Sequence, residues 1–298
     1  MEERVRVKQE RILKIGIPKG SLADATVELF GRAGFNLQVS SRGYYPSIDD
    51  SELSCIMFRA QEMSRYVEDG VVDVGLTGYD WIRENSSDVV EVCELTYSKA
   101  TSRPARWVLA VPNESTVQDV RDLEGGLIAT ELVNTTRRYF ESKGVKVRVE
   151  FSWGATEVKA RLVDAIVELT ETGSSLRANN LRILDEILAS TTRLIANKQA
   201  YADVWKREKI DSLALLLRSA IEAKAKVGLK LNVPNDNLDK VLAILPAERS
   251  PTVSALADRS FSAVEVILEA AVERVLIPQL QKAGASGIIV YPLNKVIP

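Results

Sequence analysis

The feature that most constrains the fold of this chain is a repeated alternation of short apolar strands with helical segments. The predicted strands of the first part are residues 12–17, 37–39, 53–59 and 71–76, and the predicted helices run from Ser21 to about Gly31 or Gly34, from Gln61 to Asp69, and onward from the turn Thr77-Gly78-Tyr79-Asp80. Strands that alternate with helices in this way favour a largely parallel α/β sheet.

The same pattern restarts at Trp107. Its predicted strands are residues 107–111, 127–130, 146–152, 165–169 and 193–197, and its predicted helices are residues 135–143, 156–163 and 201–226. A helix-like stretch also follows residue 175. The pattern predicts two α/β lobes, with the chain returning to the first lobe near residue 192 and a cleft between the lobes.

The last part of the chain has a different order. Its predicted elements are a strand (LKLNVP), a helix over residues 237–245, two strands (SPTVSAL and SAVEVILE), a helix over residues 272–283 and a strand (SGIIVYPL). This β-α-β-β-α-β order is typical of a ferredoxin-like domain. Small domains of this type often bind regulatory amino acids, although a fold alone does not establish a function.

Composition and charge exclude several classes of function. The chain has 298 residues and a formal net charge of -2 with scattered basic residues, so we expect no nucleic-acid partner. No run of about eighteen apolar residues is present, so we expect no membrane span. The charged N-terminus lacks the apolar segment of a signal peptide, and Cys55 and Cys93 lie in apolar strands, which together predict a cytoplasmic protein with reduced cysteines.

The chain contains no histidine. Histidine is the commonest general base and the commonest metal ligand, so its absence removes any Ser–His or Cys–His pair. Catalysis must therefore depend on carboxylates, arginine, lysine, hydroxyls, backbone amides or a bound cation.

The loop Thr170-Glu-Thr-Gly-Ser-Ser175 is rich in hydroxyls and backbone amides. Gly173 permits a positive φ and a close approach of the backbone to a phosphate. The loop contains no lysine, which argues against a Walker-type nucleotide site. Glu168 and Glu171 beside it suit sugar hydroxyls or the waters of a bound Mg²⁺. The loop fits a phosphorylated sugar with a metal, and an ordinary strand-to-helix turn is the alternative interpretation.

Several motifs together resemble one enzyme family. The acid-x₃-Thr-Gly-x-(Ser/Thr)-Leu run is similar to the phosphoribosyl-pyrophosphate loop of ATP phosphoribosyltransferase, the first enzyme of histidine biosynthesis. The other matching segments are IPKGSL (17–22), FRAQEMSRYVEDGVVDVGLTGYDWI (58–82), WGATEVK (153–159), SSLRANNLRIL (174–184) and SPTVSALAD (250–258). The resemblance covers nearly the whole chain and points to the long form of the family.

The resemblance implies a fold and a reaction. The fold is α/β, a two-lobed core similar to periplasmic binding proteins plus a C-terminal ferredoxin-like (ACT-like, βαββαβ) regulatory domain. Its expected parts are residues 1–99 with 192–221 as catalytic lobe I, residues 100–191 as catalytic lobe II, and residues 222–298 as the regulatory domain. The reaction joins N1 of ATP to the ribose of phosphoribosyl pyrophosphate, releases pyrophosphate and requires Mg²⁺. The resemblance also implies inhibition by histidine and assembly into dimers and hexamers.

The resemblance carries specific residues over to this chain. The expected phosphoribosyl-pyrophosphate ligands are Glu168, Thr170, Glu171, Thr172, Gly173, Ser174, Ser175 and Leu176, the expected ATP ligands are Lys19, Gly20, Ser21, Thr77, Gly78 and Asp80, and the expected metal ligands are Glu168 and Glu171.

Three cations have the expected catalytic roles. Arg59 at a strand end and Arg42 in a turn suit a departing pyrophosphate because a guanidinium is a forked donor, and Lys19 adds a point charge. Surface ion pairs for the arginines and a solvated turn for the lysine are the alternatives. Asp80 suits the adenine amino group or ribose hydroxyls of ATP, or it caps the helix that follows.

The expected histidine-binding residues are Asn232, Thr252 and Gly287. Some relatives have an aspartate where Asn232 stands, and loss of that charge weakens binding of an ammonium group by about 1–3 kcal/mol at a buried site. Histidine sensitivity is therefore a separate expectation from transferase activity.

Two other functions are compatible with the pattern. One is a two-lobed small-molecule binding protein without chemistry, and the other is a phosphoribosyltransferase that acts on another base such as orotate. The loop with its acids, together with Arg59, favours the ATP-dependent transferase.

Deletion of residues 222–298 is expected to abolish any response to histidine, because the regulatory region is assigned there. The measurement is the initial transferase rate of the full chain and of the truncated chain over a range of histidine concentrations. Inhibition that persists in the truncated chain would show that the effector binds elsewhere.

Overall fold

The computed structural model describes residues 11–40, 43–97, 104–246 and 250–297. Its strands are β1 (Leu13–Lys19), β2 (Leu53–Arg59), β3 (Val74–Gly78), β4 (Val90–Leu95), β5 (Ala105–Pro112), β6 (Leu127–Thr130), β7 (Arg148–Phe151), β8 (Ala165–Thr170), β9 (Leu181–Ser190), β10 (Thr192–Ala196), β11 (Lys226–Pro234), β12 (Thr252–Ala255), β13 (Phe261–Glu269) and β14 (Ser286–Pro292). Its helices are α1 (Ala23–Ala33), α2 (Ala60–Glu68), α3 (Tyr79–Asn85), α4 (Val133–Lys143), α5 (Ser174–Ala178), α6 (Lys198–Ala202), α7 (Val204–Glu222), α8 (Leu238–Ile244) and α9 (Glu273–Lys282).

The first five-stranded sheet has the order β2-β1-β3-β10-β4 and, with helices α1 to α3, is called lobe I below. Its central strands are apolar on both faces, and Leu13, Ile15 and Ile17 of β1 are fully buried. Met63 and Val67 of α2 pack with Ile195 of β10 into one core cluster. Strands covered on both faces need such continuous apolar runs.

The second five-stranded sheet has the order β7-β6-β8-β5-β9 and, with α4 and α5, is called lobe II. Alternate side chains of β5 enter two different clusters. Trp107 and Leu109 pack on one face with Phe140, while Val108 packs on the other face with Leu176. Since successive side chains of a strand point to opposite faces, the sheet that contains β5 is packed on both faces and forms the middle of three layers.

In each five-stranded sheet one strand runs against the other four, so the expectation of a largely parallel sheet is confirmed with one exception per sheet. Strand β1 is parallel to β2 and β3, and β6 is parallel to β7 and β8. Strand β10 is antiparallel to both of its neighbours, and so is β5. The antiparallel strands are those by which the chain crosses between lobes: β5 is the first strand of lobe II, and β10 is the strand on which the chain re-enters lobe I.

The third sheet has four antiparallel strands in the order β12-β13-β11-β14, with α8 and α9 in the same region of the chain. Its elements follow the predicted β-α-β-β-α-β order, so the ferredoxin-like prediction is confirmed. Leu229, Val264 and Leu280 form part of its own apolar core. The chain divides into two compact units between Ala214 and Leu215, inside α7.

One local expectation of secondary structure is wrong, and another is confirmed over a short stretch only. Residues 37–39 form no strand but a single antiparallel bridge between Gln38 and Ser47. The helix-like stretch after residue 175 ends at Ala178, and β9 begins at Leu181. Asn180 has a positive φ of 56°, which ends the helix, and pairing with β5 then makes the following residues extended.

Two smaller expectations can be compared with the structure. Neither Cys55 nor Cys93 forms a disulfide, and burial raises the pKa of the Cys55 thiol to about 12. Among the described residues, no helix has the length and apolar character needed to cross a membrane.

Replacement of Gly75 by alanine is expected to destabilise lobe I. A Cβ at this position would lie 2.7 Å from Sδ of Met63 and 3.0 Å from a methyl carbon of Val67, both of which are fully buried. Overpacking of this kind costs about 1–3 kcal/mol in the free energy of unfolding, which urea denaturation measures.

The matched control is Gly31→Ala in α1. A Cβ there meets nothing within 4 Å. Alanine in a helix is favoured over glycine by about 0.5–1 kcal/mol, so this variant should be slightly more stable than the wild type. Equal effects of the two substitutions would contradict the packing assigned to Gly75.

Candidate active site

A cavity of about 1020 Å³ lies where elements of lobe I and lobe II meet. Lobe I contributes residues at the ends of β1, β2 and β3, and lobe II contributes Glu131 and residues at the end of β8. The lining also includes Ser190 and Thr191, where the chain passes from β9 to β10. A cavity of this size can hold a substrate of nucleotide dimensions.

The cavity lies at the carboxyl ends of parallel strands. Strands β1, β2 and β3 end at Lys19, Arg59 and Gly78, and all three residues line it. In lobe II, the parallel strands β6 and β8 end next to Glu131 and Glu171, which line the same cavity. Ligands of open α/β sheets bind at this edge, since the loops that follow parallel strands converge there.

Lys19 and Arg59 enter the cavity side by side. They are register partners in the parallel pair of β1 and β2, so both side chains leave the sheet on the same face. The ammonium of Lys19 lies 3.7 Å from the ring centroid of Tyr44, a cation–π contact that holds the lysine at the cavity wall. This pair of cations can accept a multiply charged anion.

The acids of lobe II face the same cavity. Glu131, Glu168 and Glu171 all line it. Burial raises the pKa of the Glu168 carboxyl, and the nearby carboxylates of Glu157 and Glu131 raise it further, while hydrogen bonds from Leu169 N–H and the Thr156 hydroxyl oppose the shift. A buried carboxyl with other carboxylates nearby is suited to bind a cation or to accept a hydrogen bond from a hydroxyl.

The loop after β8 is held by its own hydrogen bonds. Thr170 is buried, and its Oγ1 accepts from the N–H of Gly173 at 2.7 Å. The hydroxyls of Thr172 and Ser174 lie 3.0 Å apart, and the hydroxyl of Ser175 donates to Glu157. Gly173 has a φ of 72°, so the positive φ predicted from its type is present.

The structure brings only part of the predicted loop set to the cavity wall. Glu168 and Glu171 line it, whereas Thr172, Gly173, Ser174 and Ser175 follow directly after without lining it. Ser174 and Ser175 are exposed to solvent. Leu176 is 1% exposed and packs in the apolar core beneath the loop, so its contact is with the protein.

Sequence reasoning missed Arg177 at this loop. Its Nη1 donates to the carbonyl of Thr172 at 3.0 Å, so a guanidinium lies beside the turn. Arg177 is four residues after Gly173 in the short helix α5, and this spacing places it over the turn. An arginine one helical turn after a Gly-Ser loop could have been recognised from the sequence as a candidate phosphate ligand.

The predicted ATP residues divide into two groups. Lys19, Gly20, Ser21 and Gly78 line the cavity. Thr77 is fully buried, and its hydroxyl donates to the carbonyl of Ala60 at 2.7 Å, so it connects β3 to α2.

Asp80 lines the cavity but is 4% exposed, and its carboxylate oxygens are engaged by the protein. It accepts hydrogen bonds from the indole N–H of Trp107, the hydroxyl of Ser190 and the N–H of Trp81. Burial raises the pKa of this carboxyl, and the three hydrogen bonds oppose the shift. The prediction for Arg42 lies outside the described residues.

Several cavity residues were not among the predicted site residues. Tyr44 and Tyr45 are 54% and 79% exposed and line the cavity. Glu131 was not singled out, although it directly follows β6 and an acid at that place is a recognisable pattern. Trp81 and Trp107 do pack together, with an edge-to-face geometry and ring centroids 6.2 Å apart.

The predicted effector residues lie on the antiparallel sheet of the C-terminal unit. Asn232 of β11 and Gly287 of β14 are close, since a Cβ built on Gly287 would lie 3.3 Å from Nδ2 of Asn232. Thr252 is on the edge strand β12 and is in register with Glu265, while Asn232 is in register with Ala263. Asn232 and Thr252 are thus separated by strand β13.

Comparisons with known proteins agree on one family. The model "HisG: ATP phosphoribosyltransferase" matches residues 59–219, and the model "HisG, C-terminal domain" matches residues 223–295. ATP phosphoribosyltransferase of Chlorobium phaeovibrioides is 62% identical over 96% of this chain and 98% of the relative. That of Thermodesulfovibrio yellowstonii is 56% identical over 97% of this chain and 100% of the relative.

A solved structure shows the same similarity in three dimensions. The ATP phosphoribosyl transferase (HisG:HisZ) complex from Thermotoga maritima contains a chain that superposes with a TM-score of 0.61 and 32% sequence identity. The match covers 71% of this chain and 99% of that chain.

Replacement of Thr170 by valine is expected to loosen the loop after β8. The substitution preserves the shape of the side chain but removes the acceptor of the Gly173 N–H, which leaves a buried donor unpaired at a cost of about 1–3 kcal/mol. Urea denaturation measures the loss of stability. Thr172→Val, at an exposed position of the same loop, is the control, and a loss of equal size there would contradict the role of Thr170.

Proposed function

This chain belongs to the ATP phosphoribosyltransferase family, whose reaction is the first step of histidine biosynthesis, and we propose that the cavity between its two lobes binds ATP and phosphoribosyl pyrophosphate together. The observation that supports the proposal is the set of charged groups that line one cavity. Lobe I contributes the cations Lys19 and Arg59 together with the acid Glu62, and lobe II contributes Glu131, Glu168 and Glu171. A substrate that carries pyrophosphate at one end and sugar hydroxyls at the other matches this distribution.

The two cations act on the leaving group. As the bond from ribose C1 to pyrophosphate breaks, negative charge develops on the pyrophosphate oxygens. Lys19 and Arg59 stabilise that charge, because donors aimed at a developing charge lower the barrier most. Arg59 provides a forked pair of donors and Lys19 a compact charge.

The sugar end of the substrate lies against lobe II. Glu168 and Glu171 are placed to accept hydrogen bonds from ribose hydroxyls, and the Gly173 turn, which follows the cavity wall, would hold the 5-phosphate with backbone amides and the nearby Arg177. Thr170 shapes this turn through the Gly173 N–H. The ribose C1 then faces lobe I.

ATP approaches from the side of lobe I. Gly20, Ser21 and Gly78 offer backbone and hydroxyl contacts without bulky side chains. N1 of adenine carries a lone pair at neutral pH, so the attack on C1 needs no strong general base. This agrees with a chain that contains no histidine.

The acids also suit the required Mg²⁺. Among the described residues, no group of three or more His, Cys, Asp or Glu side chains is arranged as a metal site. Mg²⁺ commonly uses one or two carboxylates together with waters and substrate phosphates, so Glu168 and Glu171 are sufficient once the pyrophosphate is present. The bound cation would supply charge neutralisation at the leaving group.

The domain organisation and regulation belong to the same proposal. Lobe I consists of residues 1–99 with 192–221, lobe II of residues 100–191, and the regulatory domain of residues 222–298. Histidine binds on the antiparallel sheet near Asn232 and Gly287. The enzyme acts in the cytoplasm as a homo-oligomer.

Mixing the protein with ATP, phosphoribosyl pyrophosphate and Mg²⁺ tests the activity directly. The expected result is a rise in ultraviolet absorbance from the adenine ring substituted at N1. No rise at high protein concentration would favour a binding protein without chemistry. Turnover of orotate in place of ATP would indicate a transferase for another base.

Arg59→Ala is expected to lower kcat far more than it weakens ATP binding, since the charge on pyrophosphate grows toward the transition state. Loss of one such donor typically costs about 100-fold or more in kcat. Steady-state kinetics and an ATP titration measure the two effects. The exposed Arg121 of lobe II, changed to alanine, is the control, and an unchanged kcat in Arg59→Ala would remove Arg59 from the mechanism.

The apparent affinity of the enzyme for Mg²⁺ is expected to weaken as the pH falls. Glu168 binds a cation only when ionised, and its raised pKa moves the loss of ionisation to a higher pH than for an ordinary glutamate. The concentration of Mg²⁺ that gives half-maximal rate should therefore rise as pH falls through that raised pKa and stay constant above it. Mg²⁺ titrations of the rate between pH about 5 and about 8 measure this change. In Glu168→Gln the half-maximal Mg²⁺ concentration should no longer vary with pH over that range.

A further inference from the structure

Helix α3 carries two buried acids that the proposed reaction does not use. Asp80 and Glu84 are 4% and 7% exposed. They are four residues apart, so they lie on the same face of the helix. Although α3 belongs to lobe I, both carboxylates accept hydrogen bonds from lobe II.

Asp80 connects the start of α3 to two strands of lobe II. One oxygen accepts from the indole N–H of Trp107 in β5 at 2.7 Å, and the other accepts from the hydroxyl of Ser190 at the end of β9 at 2.9 Å. The same hydroxyl of Ser190 accepts from the backbone N–H of Asp80 at 3.1 Å. The N–H of Tyr79 adds a backbone hydrogen bond to the carbonyl of Thr191 at 2.9 Å.

Glu84 connects the end of α3 to the start of α4 in lobe II. Its two oxygens accept from the backbone N–H groups of Asn134 and Thr135 at 2.9 and 2.8 Å. The residue at the N-cap position of α4 is Leu132, whose side chain makes no capping hydrogen bond. Since the first amides of a helix have no partner within it, the acid of the other lobe provides the cap.

Two further contacts lie at the same junction. The amide of Asn134 donates to the carbonyl of Glu84 at 3.2 Å, and the guanidinium of Arg138 donates to the carbonyl of Arg83. The last turn of α3 therefore contacts α4 through both its backbone and its side chain. The two lobes meet here through directional hydrogen bonds, of which those to Glu84 are partly buried.

A ligand role for these acids is not favoured by their surroundings. Contact of the Asp80 carboxylate with ATP would require displacement of Trp107 or Ser190, which would leave a buried donor unpaired. Glu84 does not line the cavity. Buried carboxylates that accept several hydrogen bonds are instead suited to fixing one arrangement of the groups around them.

We propose that Asp80 and Glu84 are positioning residues that clamp α3 to lobe II and thereby hold the two halves of the active site in register. This inference rests on the proposed function, because the proposed reaction needs the cations of lobe I and the acids of lobe II in fixed relative positions. Both Arg59 and α3 belong to lobe I, and Glu168 belongs to the sheet that contains Trp107. A displacement of about 1 Å between reacting groups can cost about 100-fold in rate.

The test uses the isosteric variants Asp80→Asn and Glu84→Gln in the full chain. In each variant one carboxylate oxygen is replaced by an N–H₂ group, which cannot accept the hydrogen bond that this oxygen accepted. The expected result is a fall in kcat of at least about tenfold, with the Kd of ATP and of phosphoribosyl pyrophosphate, each titrated alone, within about threefold of the wild type. A split of this kind indicates misplacement of bound substrates.

Hydrogen exchange reports the clamp independently of activity. Glu84→Gln should accelerate exchange of the amides at the start of α4, where the cap is lost. Asp80→Asn should accelerate exchange at the same amides, although Asp80 makes no contact with them in the described structure, because both acids hold one helix.

Two control variants separate positioning from general stability. Val74→Ala removes buried volume from β3 of lobe I without touching the clamp, so it should lower the thermal midpoint but keep kcat within about twofold. Trp107→Phe removes the indole donor of Asp80. The double variant with Asp80→Asn should be no slower than the slower single variant, since both remove the same hydrogen bond.

Three results would overturn the proposal. The first is unchanged kcat in both acid variants, the second is a loss that follows the thermal midpoint as in Val74→Ala, and the third is unchanged exchange at the start of α4. A wild-type protein that transfers nothing would instead refute the proposed function, and the exchange measurement would then decide the clamp alone.

Discussion

The whole site depends on one constraint, which is that parallel strands of two separate sheets must end at the same cavity. The chain leaves lobe I after β4, builds lobe II, and returns through Ser190 to β10. The strands that follow the two crossings, β5 and β10, are antiparallel to their neighbours, so each sheet contains one reversed strand. The remaining parallel strands keep their carboxyl ends on one edge. The position of Lys19, Arg59 and Glu171 follows from this topology and not from their local sequence.

The cations of the cavity come from one lobe. Lys19 and Arg59 enter from adjacent register positions of β1 and β2, and among the described residues the lining has no lysine or arginine of lobe II, where Glu131 and Glu171 follow β6 and β8. In the proposed reaction the pyrophosphate would therefore lie toward lobe I and the sugar hydroxyls toward the acids of lobe II, with the ribose C1 facing lobe I.

Much of this could be predicted from the sequence because it depends on local patterns. The strand over Leu53–Arg59 and the order of the C-terminal elements follow from hydrophobic periodicity and turn residues. The positive φ at Gly173 follows from its residue type. Strand β9 was not predicted, since its extended form depends on pairing with β5, about eighty residues earlier in the chain, and local propensity carries no information on such pairing.

The same distinction applies to Asp80. In the sequence it is an acid at the start of a helix after Thr77-Gly78, and both a cap and a ligand contact fit that pattern. Its actual partners, Trp107 and Ser190, are 27 and 110 residues away. A carboxylate with 4% exposure must find donors that compensate its lost hydration, and both side-chain donors to Asp80, Trp107 and Ser190, belong to lobe II. The desolvation of one side chain thus makes the relative position of two sheets a condition of stability, which is how a buried acid can control a reaction that it does not touch.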